Sequence, residues 1–437
     1  MMEKALNGLS KGLFEVAESR KYAIDSLMDI DFYKFTMGQL IYHKHPDVPV
    51  RFSFTNRTKK VHLGDYISEG DLMRELDHAK TLRFNNSDLH YLRGTNEYDE
   101  RMFKEDYLGF LAGLRLPPYK LELADANDGS GGRNIKLDFE GKWSEVTYWE
   151  TIALSIVNEL YFKSQMDQMS DFQRDNVYAT GIQRLNEKIK VLKTRPDITF
   201  SDFGTRRRFS GKWQDYVVKN LAKEMSPKQL LGTSNTYLAM KHGLLPMGTC
   251  AHEMEMGMSG IMHGSDEDIR SVPAKLRQDW RGEYGKPLSI YLSDTFGSDF
   301  FFRTCDSATA GEWKGLRQDS GSPISFTDKA IEFYRSRGVD PREKMIVYSD
   351  GLEVSSIIEV ADYRKEEIKK TFGWGTNLTN DLGLPPVSIV VKLMESNGHG
   401  TVKLSDNIAK ALGKQEDVER FKRIFGYTET MNREVKY

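Results

Sequence analysis

Two hydrophobic rhythms divide the chain. Before about residue 145 apolar and polar residues alternate. In VRFSFTNR, Val50, Phe52 and Phe54 fall on one side, and IKLDFEGKW repeats the pattern with Ile135, Leu137 and Phe139. A period of two predicts half-buried antiparallel strands. Between them, the charged segment around Tyr107 to Leu114 reads as helix. The stretch from Asp125 to Asn134, rich in Gly and Asp, predicts a hairpin connection. It is not a phosphate loop, because no Lys-Ser or Lys-Thr follows it.

From about residue 145 the rhythm changes. VTYWETIALSIVNELYFKSQM spaces its apolar residues as a long helix does, and short apolar runs then alternate with helix-length segments up to about residue 380. Six of these runs close on polar, mostly Gly-containing ends: ITFSDFGTRRR, GLLPMGTCAHE, LSIYLSDTFGSD, KGLRQDSGSP, MIVYSDGLE and IKKTFGWGTN. Such β/α repetition predicts a parallel sheet, closed or open, whose carboxyl-end loops converge on one pocket. Further on, SIVVKLMESNGHGTVKLS predicts a hairpin turning at Asn397 and Gly398 and returning to the first region. The expected division is residues 1–145, 146–384 and 385–437.

Composition narrows the function. A chain of 437 residues has room for a large domain and a smaller one, or for two to three ordinary domains. With 62 Lys and Arg against 64 Asp and Glu, it lacks the basic excess of a general nucleic-acid or membrane-surface binder, so any anion site must be local. Cys250 and Cys305 are too few for a disulfide framework and lack zinc-site spacing, which fits a reducing compartment. The first 29 residues lack the apolar block of a signal peptide, and no run approaches a membrane span. The expectation is a soluble, cytoplasmic protein.

The strand ends carry the candidate chemistry. In DFGTRRRFS, Gly204 permits a sharp exit and Arg206, Arg207 and Arg208 follow. If the segment is extended, at most two of the three face a pocket, and the third is structural. A guanidinium fork suits a carboxylate or phosphate. His252, in TCAHEMEMG, can serve as a base or as a nucleophile toward a phosphoryl group, whereas Met254, Met256 and Met258 read as core. Asp294, Asp319 and Asp350 stand at successive strand ends. Each could simply cap a helix, but together they could orient ribose hydroxyls or hold hydrated Mg²⁺. Gly373, Gly375 and Thr376 offer backbone N–H groups that can cradle a phosphate.

Taken together, these segments resemble the nicotinate phosphoribosyltransferase family, in its ATP-coupled branch. The resemblance runs through DIDFYKFTMGQLIYHKHPDVPV, DFGTRRRFS, GTSNTYLAMKHGLLPMGTCAHE, LSDTFGSDFFFR, GLRQDSGSP, IVYSDGLE, FGWGTNLTND and SIVVKLMESNGHGTVKLSDNIAK, in family order from about residue 27 to 411. It implies an irregular (β/α) barrel joined to an α+β open-faced sandwich made from the N-terminal region and the C-terminal hairpin. It implies the substrates nicotinate and phosphoribosyl diphosphate, with ATP as co-substrate and Mg²⁺ as cofactor, in NAD salvage.

The resemblance also assigns roles. His252 would take a phosphoryl group from ATP. Phe203 would stack on the pyridine ring, with Tyr33 covering its other face from the partner subunit of a homodimer with shared active sites. Arg206 would sit by the nicotinate or the diphosphate. Arg317 and Asp319 would lie at the reacting centre with Asp294 in the same pocket, and Asp350 would meet the ribose hydroxyls. Gly373, Gly375 and Thr376 would hold the 5′-phosphate, and Lys403 and Lys410 would contact phosphate from across the dimer interface.

The chain departs from the family pattern at Gln318, Ser322, Met254 and Ser396. These departures bear on substrate tuning. The rival expectations are a nicotinamide or quinolinate enzyme and a catalytically inactive nucleotide-binding relative.

Overall fold

The computed structural model describes residues 21–126, 129, 131–429 and 431–432. Two sheets organise it. The first is antiparallel and contains β1 (Pro49–Asn56), β4 (Tyr119–Asp125), β5 (Arg133–Lys142), β13 (Ile389–Ser396) and β14 (His399–Gly400) in the order β14-β13-β1-β5-β4. Its alternation is the one the sequence carries: Val50, Phe52 and Phe54 of β1 and Ile135, Leu137 and Phe139 of β5 are all buried. The C-terminal hairpin joins this sheet, with Val50 opposite Ser396 and Asn56 opposite Ile389. It turns at Asn397 and Gly398, whose φ values of 53° and 78° are the pair a tight hairpin turn requires. A small separate ribbon pairs β2 (Asn96–Glu97) with β3 (Glu100–Arg101).

The second sheet is parallel throughout. It contains β6 (Phe200–Asp202), β7 (Leu230–Thr233), β8 (Leu245–Pro246), β9 (Ile290–Leu292), β10 (Gly315–Gln318), β11 (Met345–Tyr348) and β12 (Lys369–Trp374) in the order β8-β7-β6-β12-β11-β10-β9. The sheet curls into a half-barrel whose outer strands, β8 and β9, do not meet. Strand β7 adds a member to the six runs visible in the sequence. Helices connect successive strands and start on side-chain caps: Ser210 receives Trp213 N–H, Asn235 receives Leu238 N–H, and Ser322 caps a helix opened by Pro323. Among the described residues, no helix is long and apolar enough to cross a membrane.

Two helices tie the sheets together. The long helix Trp149–Asp167 is buried on nearly every side over its first three turns, and it packs against β13 and the turn after β6. The helix Glu253–Ile261 also lies on β13, and Met254, Met256 and Met258 are buried there. The segment before helix Tyr33–Lys44 is pinned to the half-barrel, since Phe32 N–H donates to the Ser234 carbonyl at 2.6 Å and Asp31 bridges Asn235. The strand ends of one sheet therefore face the inner side of the other.

Candidate active site

Two chambers adjoin between the sheets. The outer one is lined from the half-barrel by Phe203, Arg206, Arg207, His252, Arg317, Asp319, Asp350, Gly373, Gly375 and Thr376, and from the opposite side by Phe52, Arg57, Lys392, Lys403 and Lys410. The inner one lies within the curl of the parallel strands and is mainly apolar, with Tyr33, Phe203, Met247, Ile290, Val347 and Phe372 in its wall. Phe203, Arg206, Arg317 and Gly373 belong to both. The junction carries a constraint of its own: a Cβ on Gly373 would lie 2.3 Å from the Phe203 ring. Gly373 is thus needed first of all to let the aromatic ring occupy the junction.

The arginine triplet is not extended. Thr205–Arg207 forms a 3₁₀ turn, whose three residues per turn send successive side chains in different directions. Arg206 and Arg207 reach the chambers. Arg208 is buried and grips Asp29 with two N–H groups at 2.6 and 2.9 Å. Arg206 is held by Asp31 at 3.3 Å and Glu150 at 3.4 Å, and its guanidinium lies 5.5 Å from the centre of the Tyr33 ring. Burial opposes the Arg206 charge, but Tyr33, Asp31 and Glu150 more than offset it. Burial raises Asp31, against the pull of Arg206 and Ser234.

Two expectations about the origin of residues are corrected. Tyr33 lines the inner chamber of its own chain, where its hydroxyl donates to Glu150 at 3.1 Å, because the Phe32–Ser234 and Asp31–Asn235 links hold its segment on the half-barrel. Lys403 and Lys410 likewise enter from the same chain's segment after β14. Lys403 Nζ is 2.8 Å from His252 Nε2, and Lys410 Nζ donates to Asp350 at 2.6 Å.

His252 immediately precedes the helix that follows β8, with its side chain free of any capping bond to that helix. Its Nδ1 is 3.0 Å from Thr295 Oγ1, and its Nε2 is 3.1 Å from Asp319 Oδ2 and 3.6 Å from Asp294 Oδ1. Burial lowers the imidazole's proton affinity and Lys403 adds to this, while Asp294 and Asp319 oppose it. A neutral ring results at neutral pH. Asp294 corrects a further expectation: it does not line the chamber but lies buried behind His252, with Oδ2 facing Ser320 and Ser405. Residues 404–406 cover it, and Leu404 N–H donates to the Thr295 carbonyl at 2.7 Å.

At the junction Arg317 donates to Ser349 Oγ at 2.9 Å and to Asp319 at 3.0 Å, and Ser349 in turn donates to Asp319 at 2.7 Å. Burial works against the Asp319 charge, but Arg317, His252 and Lys403 together hold its carboxyl well below the usual range. Across the chamber, burial pushes Lys392 down to about 7 with help from Arg57 and Lys403, and also lowers Lys403 against the pull of Asp294 and Asp319. Burial raises Asp350, with Lys410 opposing.

Arg57, Lys392, Glu150 and Glu253 were not among the residues singled out in the sequence. Lys392 carried a signal, a lysine inside the apolar run IVVKLM, and Glu253 stands beside His252 in AHE. Arg57 and Glu150 carried none. Glu150 and Glu253 clasp the fully buried Lys34, and Trp143 and Thr147 donate to Glu253 at 2.8 and 2.6 Å.

A curled parallel sheet that brings arginines, a neutral histidine and paired carboxylates to its strand ends, closed by a cationic second sheet, defines an α/β enzyme acting on anionic small molecules. Family models refine this class. The nicotinate phosphoribosyltransferase (NAPRTase) family matches residues 198–429, and the NAPRTase N-terminal domain matches residues 28–158. The chain belongs to the nicotinate phosphoribosyltransferase family, and its activity is nicotinate phosphoribosyl transfer. Solved structures agree. A proposed nicotinate phosphoribosyltransferase from Saccharomyces cerevisiae is 30% identical with a TM-score of 0.83, the match covering 94% of this chain and 100% of that one. The nicotinate phosphoribosyltransferase of Porphyromonas gingivalis is 30% identical over 92% and 100% of the two chains, with a TM-score of 0.81. That of Vibrio cholerae is 29% identical over 93% and 95%, with a TM-score of 0.82.

Proposed function

We propose that the chain joins nicotinate to phosphoribosyl diphosphate and couples this transfer to ATP hydrolysis through a phosphohistidine at His252, in NAD salvage. The observation that carries the reading is the junction of an apolar, aromatic chamber with a cationic one at Phe203, Arg206 and Arg317. A flat ring fits the inner chamber between Phe203 and Tyr33, with Arg206 toward its carboxylate. The phosphates fit the outer one, the 5′-phosphate at Gly375 and Thr376 and the diphosphate among Arg57, Lys392, Lys403 and Lys410. Asp350 is then the partner for the ribose hydroxyls.

In this reading the bond from ribose C1 to the diphosphate oxygen breaks as the pyridine nitrogen bonds to C1. Positive charge develops on the ribose, and Asp319, kept ionised by Arg317, is the carboxylate placed to favour it. The diphosphate leaves into the cationic side of the chamber. ATP acts at the same place: the γ-phosphoryl passes to a ring nitrogen of His252 as ADP leaves, and water later releases phosphate. Among the described residues no cluster of three or more His, Cys, Asp or Glu is arranged to hold a metal. Mg²⁺ fits here as an ion carried on the substrate phosphates with Asp350 as a single protein carboxylate, where it would neutralise phosphate charge.

Nicotinate mononucleotide formation, measured with and without ATP on the wild type and on His252→Ala, tests the proposal. ATP should stimulate the wild type and leave the variant at an ATP-insensitive rate. A wild type indifferent to ATP would remove the coupling and leave the transfer standing. The proposal also includes a cytoplasmic homodimer, which sedimentation would check.

A further inference from the structure

A ring site needs more than an aromatic face and a cation, because both must be held in place before the ring arrives. Tyr33 and Arg206 come from different segments, the start of helix Tyr33–Lys44 and the 3₁₀ turn after β6. One carboxylate reaches both. Glu150 Oε2 accepts the Tyr33 hydroxyl at 3.1 Å, and Oε1 accepts Arg206 Nη1 at 3.4 Å. Glu150 stands in the first turn of the buried helix Trp149–Asp167, where the helix N-terminus favours a negative charge and the packed helix fixes the root of the side chain.

Glu150 is itself anchored by a fully committed cation. Lys34 Nζ lies 2.6 Å from Glu150 Oε2 and 3.2 Å from Thr147 Oγ1, and it also donates to Glu253. An ammonium has three donors, so this lysine has none left for a phosphate or a ring carboxylate. Thr147 passes its own proton to Glu253 at 2.6 Å, which closes the cluster. Burial raises Glu150, and Lys34 and Arg206 more than offset it, which leaves a carboxylate that can only accept. On the other side of Arg206, Nε faces Asp31 Oδ2 at 3.3 Å, and Nη2 makes no hydrogen bond among the described residues. The fork is thus held at two corners with the third open.

We propose that Glu150 is the positioning residue of the nicotinate site: it holds the Tyr33 ring by its hydroxyl and Arg206 by one corner of its fork, with Lys34 as its buried counter-ion. The part played by the substrate ring and its carboxylate rests on the function proposed above. The anchoring of Tyr33 and Arg206 does not. Glu150→Gln separates the two arms, because it keeps the volume and removes one acceptor. Its carbonyl oxygen goes to the Lys34 ammonium and can still receive the Tyr33 hydroxyl, so its amide N–H₂ faces Arg206. Donor then meets donor, and the guanidinium turns away. Lys34 keeps Glu253 and Arg206 keeps Asp31, so no buried cation is left without a carboxylate. Tyr33→Phe breaks the other arm, since it removes the hydroxyl and leaves every charge in place.

The test is steady-state formation of nicotinate mononucleotide by the full-length wild type, Glu150→Gln, Tyr33→Phe, Arg206→Ala and the double variant Glu150→Gln with Arg206→Ala. Glu150→Gln should raise the KM for nicotinate by about tenfold or more, the scale of one hydrogen bond to a charged group, and leave that for phosphoribosyl diphosphate within about threefold. Tyr33→Phe should raise the KM for nicotinate by about threefold, and it tests its arm even where Glu150→Gln does not fold. With Arg206 already removed, Glu150→Gln should add less than about twofold, because the two changes break one interaction. An unchanged nicotinate KM in Glu150→Gln or in Tyr33→Phe, equal rises in both KM values, or a Glu150→Gln loss of about tenfold without Arg206 would overturn the proposal, since a merely structural carboxylate acts without that arginine. An Arg206→Ala enzyme with the wild-type nicotinate KM would overturn the placement of the substrate carboxylate. Crystal structures of the wild type and Glu150→Gln then judge the anchoring by itself: Arg206 on Glu150 in the first and turned away in the second upholds it, and an unmoved Arg206 overturns it.

Discussion

Arg317 and Lys403 face the same chamber from opposite sides and are held in opposite ways. Arg317, on strand β10, is already paired: Asp319 and Ser349 fix its guanidinium at 3.0 and 2.9 Å. Lys403, from the segment after β14, touches the His252 ring, and burial, with Lys410 and Arg57, weakens its hold on its proton against the pull of Asp294 and Asp319. Lys392 is lowered as well, down to about 7, with Arg57 and Lys403 adding to the effect of burial. A paired group is oriented before any substrate arrives, which suits a role at the reacting atoms. Crowded cations are unfavourable until an anion relieves them, which suits a role in binding phosphate. The difference teaches that the half-barrel holds its arginine at the junction by pairing, whereas β13 and the segment after β14 bring in lysines that burial leaves readier to lose their protons.

The sharpest way to break this division is Arg317→Ala. It removes the Arg317 guanidinium from the junction and deprives Asp319 of the largest charge that offsets its burial. The expected loss in kcat/KM is on the order of 10³-fold, the scale seen when one preorganised donor is removed from a reacting centre. Steady-state formation of nicotinate mononucleotide would measure it, and a variant within tenfold of the wild type would mean that Arg317 is not at the centre.

Lys403→Ala should come next, with kcat/KM for phosphoribosyl diphosphate falling by roughly 10²-fold, as for one partner lost from a buried charge contact. The variant should also move His252. Lys403 is, after burial, the largest influence lowering the imidazole, so its removal raises the proton affinity of His252. A neutral ring is the reactive form, so the acid limb of the ATP-stimulated pH profile should shift to higher pH. An unmoved limb would detach Lys403 from His252.

How the sequence shows these two halves differs as well. The strand ends are legible, because each apolar run stops at a polar, Gly-containing end and parallel strands must gather those ends on one face. Strand β7 escaped because Leu230–Thr233 is brief and closes on GTSN between helical segments. The cations of the second sheet are harder to read. Arg57 follows an alternating strand, where a charge ordinarily marks the solvent side, and only the packing of β1 and β13 over the half-barrel turns it inward. Asp294 shows the opposite limit: its place at a strand end is visible, but the burial by residues 404–406 is a contact between segments more than 100 residues apart. Arg208, next to two chamber-lining arginines, is set apart only by its pairing with Asp29.

Gly373→Ala probes the junction through the Phe203 ring. The added methyl would lie 2.3 Å from the Phe203 ring, so the ring must move out of the junction. The KM for nicotinate should rise by roughly tenfold, about 1.4 kcal/mol of lost stacking and fit. The KM for phosphoribosyl diphosphate should change less, because Arg57, Lys392, Lys403 and Lys410 line the opposite side of the outer chamber. Equal changes in both would show that the two chambers are not separable in binding.

The smallest effect, and the one most specific to the crowded side, is the pH dependence of diphosphate affinity. With its proton affinity lowered to about 7, Lys392 is charged below that pH and neutral above it in the free enzyme. A bound polyanion favours the charged form, so binding above pH 7 must take up a proton and weakens as pH rises. Diphosphate titrates too, and comparison with Lys392→Arg removes that contribution, because a guanidinium keeps its charge throughout. The ratio of the two dissociation constants, measured by calorimetry, should be nearly independent of pH below 6. It should then change by up to about tenfold between pH 7 and 8 in favour of the arginine variant, the limit set by one proton per site. A ratio that stays flat across this range would mean that the anion does not meet Lys392, and the charge of the outer chamber would then rest on Arg57, Lys403 and Lys410.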